Sequence, residues 1–190
     1  SGERSWEELG FRVGDGVTVT VSEHPSFTGP CKLLTLSGRQ ATVNRVYVNE
    51  TEDLYPVTVS RRMPDMIHVC AVGDRLVGCD RDKVYVSEAG NPFNWVSAGG
   101  LGDHAPVTLP LGGRGGFTAC AAWEGYAVFF KENQIYRLMG HGAGSYALSD
   151  MTAPGVAQSG ARSLCSLGGA LYYLSPMGVC RYEGDHPTLI

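Results

Sequence analysis

The residues of this 190-residue chain best suited to chemistry are its six cysteines, at 31, 70, 79, 120, 165 and 180, and its five histidines, at 24, 68, 104, 141 and 186. A structural zinc site wants two ligand pairs at short spacing. Here Cys-x-x-Cys, His-x-His and His-Glu-x-x-His are all missing, so no metal ligand set is expected. A thiol nucleophile needs an exposed, electropositive setting. Cys70, Cys120 and Cys165 instead recur in apolar runs: Val69-Cys70-Ala71-Val72, Ala119-Cys120-Ala121-Ala122 and Leu164-Cys165-Ser166-Leu167. Because Cys packs as a small hydrophobe, these read as reduced core thiols and not as a disulfide framework. Ser163 beside Cys165 has no recognisable base, and no Gly-x-Ser-x-Gly occurs.

Anion and cation chemistry fare no better. The glycine-rich runs Gly112–Gly116 and Gly140-His141-Gly142-Ala143-Gly144 lack the Gly-Lys-Ser/Thr ending of a phosphate loop. Neither leads into a helical pattern whose N-terminus could hold phosphate, so they read as loops. Asp80-Arg81-Asp82-Lys83 alternates acids but has neither the glycine nor the distal glutamate of a calcium loop, and is expected to be a hairpin turn. No cofactor is expected, and the catalytic set is empty. A net charge of −4 provides no general attraction for phosphate backbones or anionic lipid.

The elements that must position these residues are strands. Gly (26) and Pro (10) punctuate a chain that is 43 % hydrophobic and 18 % charged, which points to an all-β protein rich in turns. No apolar run reaches the roughly 18 residues of a membrane span, and SGERSWEELG has neither a basic nor a hydrophobic leader region. Ser1-Gly2 reads as a remnant of tag removal, so the natural chain is expected to extend upstream. Asn49-Glu50-Thr51 matches a glycosylation acceptor, but with no secretory signal it is read as a chance match. Ser5 and Glu8 have capping-box spacing, predicting one helical turn at the start.

Val17, Val19 and Val21 alternate with Thr18, Thr20 and Ser22, predicting a strand with one apolar face. Further short strands are predicted at Lys32–Leu36, Ala41–Asn44 and Arg45–Val48. Residues 1–60 are therefore expected to hold a small SH3-like or OB-like β-barrel, although they also fit an irregular first propeller blade. From residue 61 to 190 the chain repeats. Cys70 to Val84, Cys120 to Ile135 and Cys165 to Val179 are 14, 15 and 14 residues apart, and successive cysteines lie 50 and 45 apart. Such a period, with several strands per unit, is the signature of propeller blades. Strands are predicted at 67–72, 75–79 and 84–87, at 117–122, 126–131 and 134–138, and at 163–167, 170–175 and 179–182, with Glu88–Gly116 as a long polar loop. Two to three blades cannot close a ring, so the remainder is expected from elsewhere.

The string Val84-Tyr85-Val86-Ser87-Glu88-Ala89-Gly90-Asn91-Pro92-Phe93-Asn94-Trp95 resembles a segment of bacteriophage and prophage tail proteins with β-propeller folds. The likeness continues through Phe129-Phe130-Lys131-Glu132-Asn133-Gln134-Ile135-Tyr136 and Gly178-Val179-Cys180-Arg181-Tyr182-Glu183-Gly184, and Phe11–Val17 resembles the small barrel that precedes this region. The resemblance implies a virion tail component of the nozzle or hub kind, made in the bacterial cytoplasm. Its partners would be other copies of itself and other tail proteins, with no membrane, no sequence-specific nucleic acid and only passive contact with DNA in a channel. Asn91, Pro92, Phe93 and Trp95, with Trp123 and Tyr126, are the interface candidates: Asn91-Pro92 fixes a turn and Trp95 is expected to anchor it on a blade edge.

Ser87-Glu88-Ala89-Gly90 also resembles the Asp box of sialidase-type propellers, but Ala89 stands where the Asp belongs. A hydrolase would further need arginines, a tyrosine and a carboxylate in one pocket, drawn from Arg61, Arg62, Arg114 or Arg137. The expectation is a structural protein and not an enzyme. The alternative is a propeller-type binding module for a cell-surface glycan or protein, with Phe93 and Trp95 or Trp123 and Tyr126 as an exposed aromatic platform.

Overall fold

A computed structural model describes residues 4–22, 26, 28–45, 55–61, 63–96, 102–111 and 114–190. Strands make up its regular structure, apart from one 3₁₀ turn at Ala161–Ser163. They form four antiparallel sheets of four strands each. Two compact units divide the chain, one comprising Ser1–Met63 with Phe93–Leu101 and the other Pro64–Pro92 with Gly102–Ile190.

In the first unit the strands are β1 (Gly16–Val21), β2 (Gly29–Ser37), β3 (Gln40–Val43) and β4 (Val57–Ser60), in the order β3-β2-β1-β4. The alternation read in β1 decides its faces. Val17, Val19 and Val21 are buried with Cys31 and Leu33 of β2, while Thr20 faces solvent. The expected barrel is not found: among the described residues the sheet stays open, with β3 and β4 at its edges. The strand expected at Arg45–Val48 lies outside the described residues beyond Arg45, as do His24, Asn49–Thr51 and Arg62. The capping box forms as read. The Ser5 N–H donates to Glu8 Oε2 at 2.8 Å and the Glu8 N–H to Ser5 Oγ at 3.2 Å, closing a turn. Trp95, expected at a blade edge, belongs with this first unit. Gly16 makes room for its segment, because a Cβ there would strike Asn94 Oδ1 at 2.4 Å and the Val96 carbonyl oxygen at 2.5 Å.

The second unit contains three meanders in which strands neighbour one another in chain order. The first is β5 (His68–Val72), β6 (Arg75–Cys79), β7 (Lys83–Val86) and β8 (Val107–Pro110); the second is β9 (Ala119–Trp123), β10 (Tyr126–Lys131), β11 (Gln134–Met139) and β12 (Ala147–Thr152). The third is β13 (Cys165–Leu167), β14 (Ala170–Ser175), β15 (Gly178–Tyr182) and β16 (Thr188–Leu189). Reading the sequence alone misses the fourth strand of every meander. β8, β12 and β16 lie at sheet edges and have no fully buried residue, so they lack the apolar signal that marks the others.

The second sheet lies between the other two and buries both faces. Ala127, Phe129, Tyr136 and Leu138 pack against Val77, Cys79, Val84 and Val86 of the first sheet. Val128, Phe130 and Ile135 pack against Leu171, Tyr173, Cys180 and Tyr182 of the third. This explains the unbroken apolar run at 127–130: a strand covered on both sides has no polar face to show.

Candidate functional site

The cross-strand pairs define a common register for the three meanders. Cys70 pairs with Val77, Ala121 with Val128 and Cys165 with Tyr172, so these six positions are equivalent in pairs. Each sheet thus has a forward face toward the next sheet in the chain and a rear face toward the preceding one. Cys120 sits one residue off the register of Cys70 and Cys165. Since a shift of one residue turns a side chain to the opposite face, Cys120 points rearward and meets the forward-pointing Cys70, with Cys79 beside them. The hydrogen bond with Cys120, then burial, pushes the Cys70 thiol up; at Cys120 the bond with Cys70 pulls the other way, but the bond with Cys79 and burial outweigh it and push the thiol up, leaving both neutral. All six cysteines are free thiols.

The expectation that Cys165 is a core thiol is wrong. It occupies the forward face of the third sheet, which no other described sheet of this unit covers, and is exposed. Its neighbours on that face share its fate: Leu167 is 69 % exposed, Leu174 45 %, Val179 44 % and Ile190 67 %. The equivalent residues Val77, Cys79, Val84, Val128, Phe130 and Ile135 are buried. The rear face of the first sheet is also open in part, with Val69 and Ala71 exposed and Leu76 and Tyr85 half-buried. Met66 covers its centre at Gly78, where a Cβ would lie 2.4 Å from the methionine sulfur.

Buried polar groups hold the loops between strands. Arg75 donates to the Ser87, Asp103 and Ala105 carbonyls, and its guanidinium lies 5.7 Å from the Tyr146 ring centre. One buried side chain therefore ties part of the long loop to β6, a role that composition did not reveal. Asp80 organises the turn read at Asp80–Lys83. Its Oδ1 accepts the Asp82 and Lys83 amides, each at 2.7 Å, and its Oδ2 accepts the Tyr85 hydroxyl at 2.6 Å. Burial opposes ionisation of Asp80, but these bonds outweigh it and hold the carboxyl below its usual range. Burial, then the bond to Asp80, pushes Tyr85 up to about 12.

The interface candidates divide between packing and exposure. Asn91 bridges back to Glu88, its side chain donating to Glu88 Oε2 at 3.2 Å, and Pro92 is half-buried beside it. Phe93 is 62 % exposed, with the Arg61 guanidinium 5.9 Å from its ring centre, whereas Trp95 is buried. Trp123 lies between the second and third sheets, edge-on to Tyr182 at 5.5 Å, and its indole N–H donates to the Gly169 carbonyl at 2.6 Å. Tyr126 is half-buried under Arg137, 5.9 Å away. Trp123 and Tyr126 are cross-strand partners at the β9–β10 turn, with Trp123 engaged in packing, while of Phe93 and Trp95 only Phe93 is exposed.

A cavity of about 560 Å³ opens at the β10–β11 turn, lined by Arg114, Lys131, Glu132, Asn133, Gln134 and Gln158 among others. Its described walls hold no tyrosine. The Lys131 ammonium is enclosed near the rings of Phe117 and Tyr136, at 5.2 and 5.7 Å, with no hydrogen-bond partner among the described residues. Arg61 is engaged elsewhere, by Asp15 at 3.0 Å. Among the described residues no three His, Cys, Asp or Glu side chains form a group that could hold a metal ion. No described helix is long and apolar enough to cross a membrane.

No protein-family model and no curated protein matches the chain. The forward face of the third sheet carries exposed apolar residues, Leu167, Leu174 and Val179, where the equivalent positions of the first two sheets are packed.

Proposed function

We propose that this chain is a structural component of a phage or prophage tail, its three meanders serving as successive blades of a β-propeller and its task being assembly. The observation that supports this reading best is the shared register of the meanders. The first buries its forward face on the rear face of the second, and the second on the rear face of the third, as blades around an axis do. The stretch at Asp103–Ala105, tied to β6 by Arg75, is suited to serve as a docking edge. Neutral, mutually bonded thiols and an arginine spent on carbonyls favour packing over chemistry. The rival reading, a module that binds a cell-surface glycan or protein, loses support because Trp95 and Trp123 are engaged in packing.

Quantitative mass spectrometry of particles purified after prophage induction in the source strain tests the proposal. Peptides of this chain at several copies per particle, retained through a density gradient, are the expected result. Their absence from intact particles would overturn it.

A further inference from the structure

The cavity at the β10–β11 turn carries positive charge that its surroundings do not answer. Lys131 is 2 % exposed, yet among the described residues its ammonium has neither a hydrogen-bond partner nor an ion pair. The rings of Phe117 and Tyr136, at 5.2 and 5.7 Å, lie against it instead. Ring faces offset a small part of the cost of taking an ammonium out of water, so a buried lysine is ordinarily paired. The strand register places this one at the cavity wall. Lys131 pairs with Gln134 across the turn, so the two side chains share one face of the sheet, and both line the cavity with Gly115 and Gly116, the residues that lead into Phe117. Arg114 lines the same cavity, is exposed, and has no ion pair among the described residues. Two cations thus stand against one carboxylate, Glu132, in a chain whose net charge is −4.

The neutral groups of the wall are mostly donors. Glu132 Oε1 accepts the Gln158 backbone N–H at 3.2 Å. Gln134 Oε1 accepts the Tyr136 hydroxyl at 2.8 Å, which leaves the Gln134 amide nitrogen as the donor for the cavity, with the side chains of Asn133, Thr152 and Gln158 in the same wall.

We infer that this cavity binds a small hydroxylated carboxylate: Arg114 bonds the carboxylate, Lys131 is its enclosed countercharge, and the amides of Asn133, Gln134 and Gln158 take its hydroxyls. An enclosed charge acts over several ångströms where the dielectric is low, so the ammonium needs no direct contact with the ligand. Two cations less one carboxylate complement a monoanion better than a phosphate dianion. The cavity, about 560 Å³, lies within the range of small-molecule sites and far exceeds a carboxylate group, so the ligand has a body as well as a charge. That body is polar, because the described walls hold no aliphatic or aromatic side chain. The inference goes beyond the assembly role and does not rest on it.

The test is isothermal titration calorimetry of the whole chain with D-glucuronate as the probe, and with glucose and inorganic phosphate for comparison. Lys131→Met removes an unpaired buried charge and should therefore fold with a melting temperature no lower than the parent's. The parent is expected to bind glucuronate saturably and glucose not at all, and Lys131→Met and Arg114→Gln each to bind glucuronate about tenfold more weakly or worse. Glu132→Gln, which keeps an acceptor for Gln158 but removes the opposing charge, is expected to bind more tightly. A parent chain that shows no saturable binding overturns the inference, as does a Lys131→Met or Arg114→Gln variant that binds like the parent. Glucose bound as well as glucuronate, phosphate bound more tightly, or weaker binding by Glu132→Gln would each overturn it too, since the site would then read something other than a carboxylate. Arg114 is exposed, so its variant keeps the test valid should Lys131→Met fail to fold. Binding without presence in particles would sink the tail assignment alone, and presence in particles without binding would sink this inference alone.

Discussion

At the residue scale the cysteines carry the most information, because their fates follow from which face they occupy. Cys31, Cys79 and Cys180 are buried, Cys70 and Cys120 hold each other between two sheets, and Cys165 looks outward. Alkylation of the native chain followed by peptide mass spectrometry should therefore label Cys165 well ahead of the other five. Equal rates at Cys70 or Cys120 would contradict the packing described. Asp80 and Tyr85 make a second residue-scale test. A carboxyl whose folded pKa lies below its unfolded value stabilises the fold above the unfolded value, and that contribution is lost as pH falls through the folded one. The chain should thus lose stability on acidification more steeply than Asp80→Asn, as read by denaturant midpoints across the carboxylate range. Superimposed acid limbs would show that Asp80 adds nothing. The turn at Asp80–Lys83 was legible because acid and base between two apolar runs leave little else. The hub role of Arg75 was not, because a single arginine in a sequence says nothing of the carbonyls it will meet.

At the scale of elements, three hairpin turns open the meanders, and their first central residues, Gly73, Glu124 and Gly168, all have positive φ, at 58°, 46° and 59°. Glycine adopts this conformation freely, whereas a glutamate is strained there. Glu124→Gly is accordingly expected to stabilise the chain by about 1 kcal/mol, raising its melting temperature; a lower melting temperature would contradict the assigned turn. The first three strands of each meander were legible because apolar runs and the recurring cysteine mark them. β4, β8, β12 and β16 were not: none has a fully buried residue, and no cysteine repeat points to them. The spacing of the cysteines gave the repeat but hid the slip at Cys120. A count from Cys to the second strand tolerates one residue, while the face of a strand does not.

At the scale of the whole molecule, the directional stack unites these details. Cys165, Leu167, Leu174 and Val179 share one face: they hold the positions that Cys70, Val72, Cys79 and Val84 hold in the first sheet, where the second sheet packs, and no described sheet packs on them. Among its described residues the first unit is an open sheet, where the barrel expected from short strands would have needed its edges to close. The central claim is that the chain acts by having those ends covered in an assembly. Hydrogen–deuterium exchange, comparing the isolated chain with the chain in gradient-purified particles, tests it most directly. Slower exchange in the particle over β14–β16 and over β5–β6 is the predicted result; exchange at the same rate in both states would show the ends still open and contradict the account.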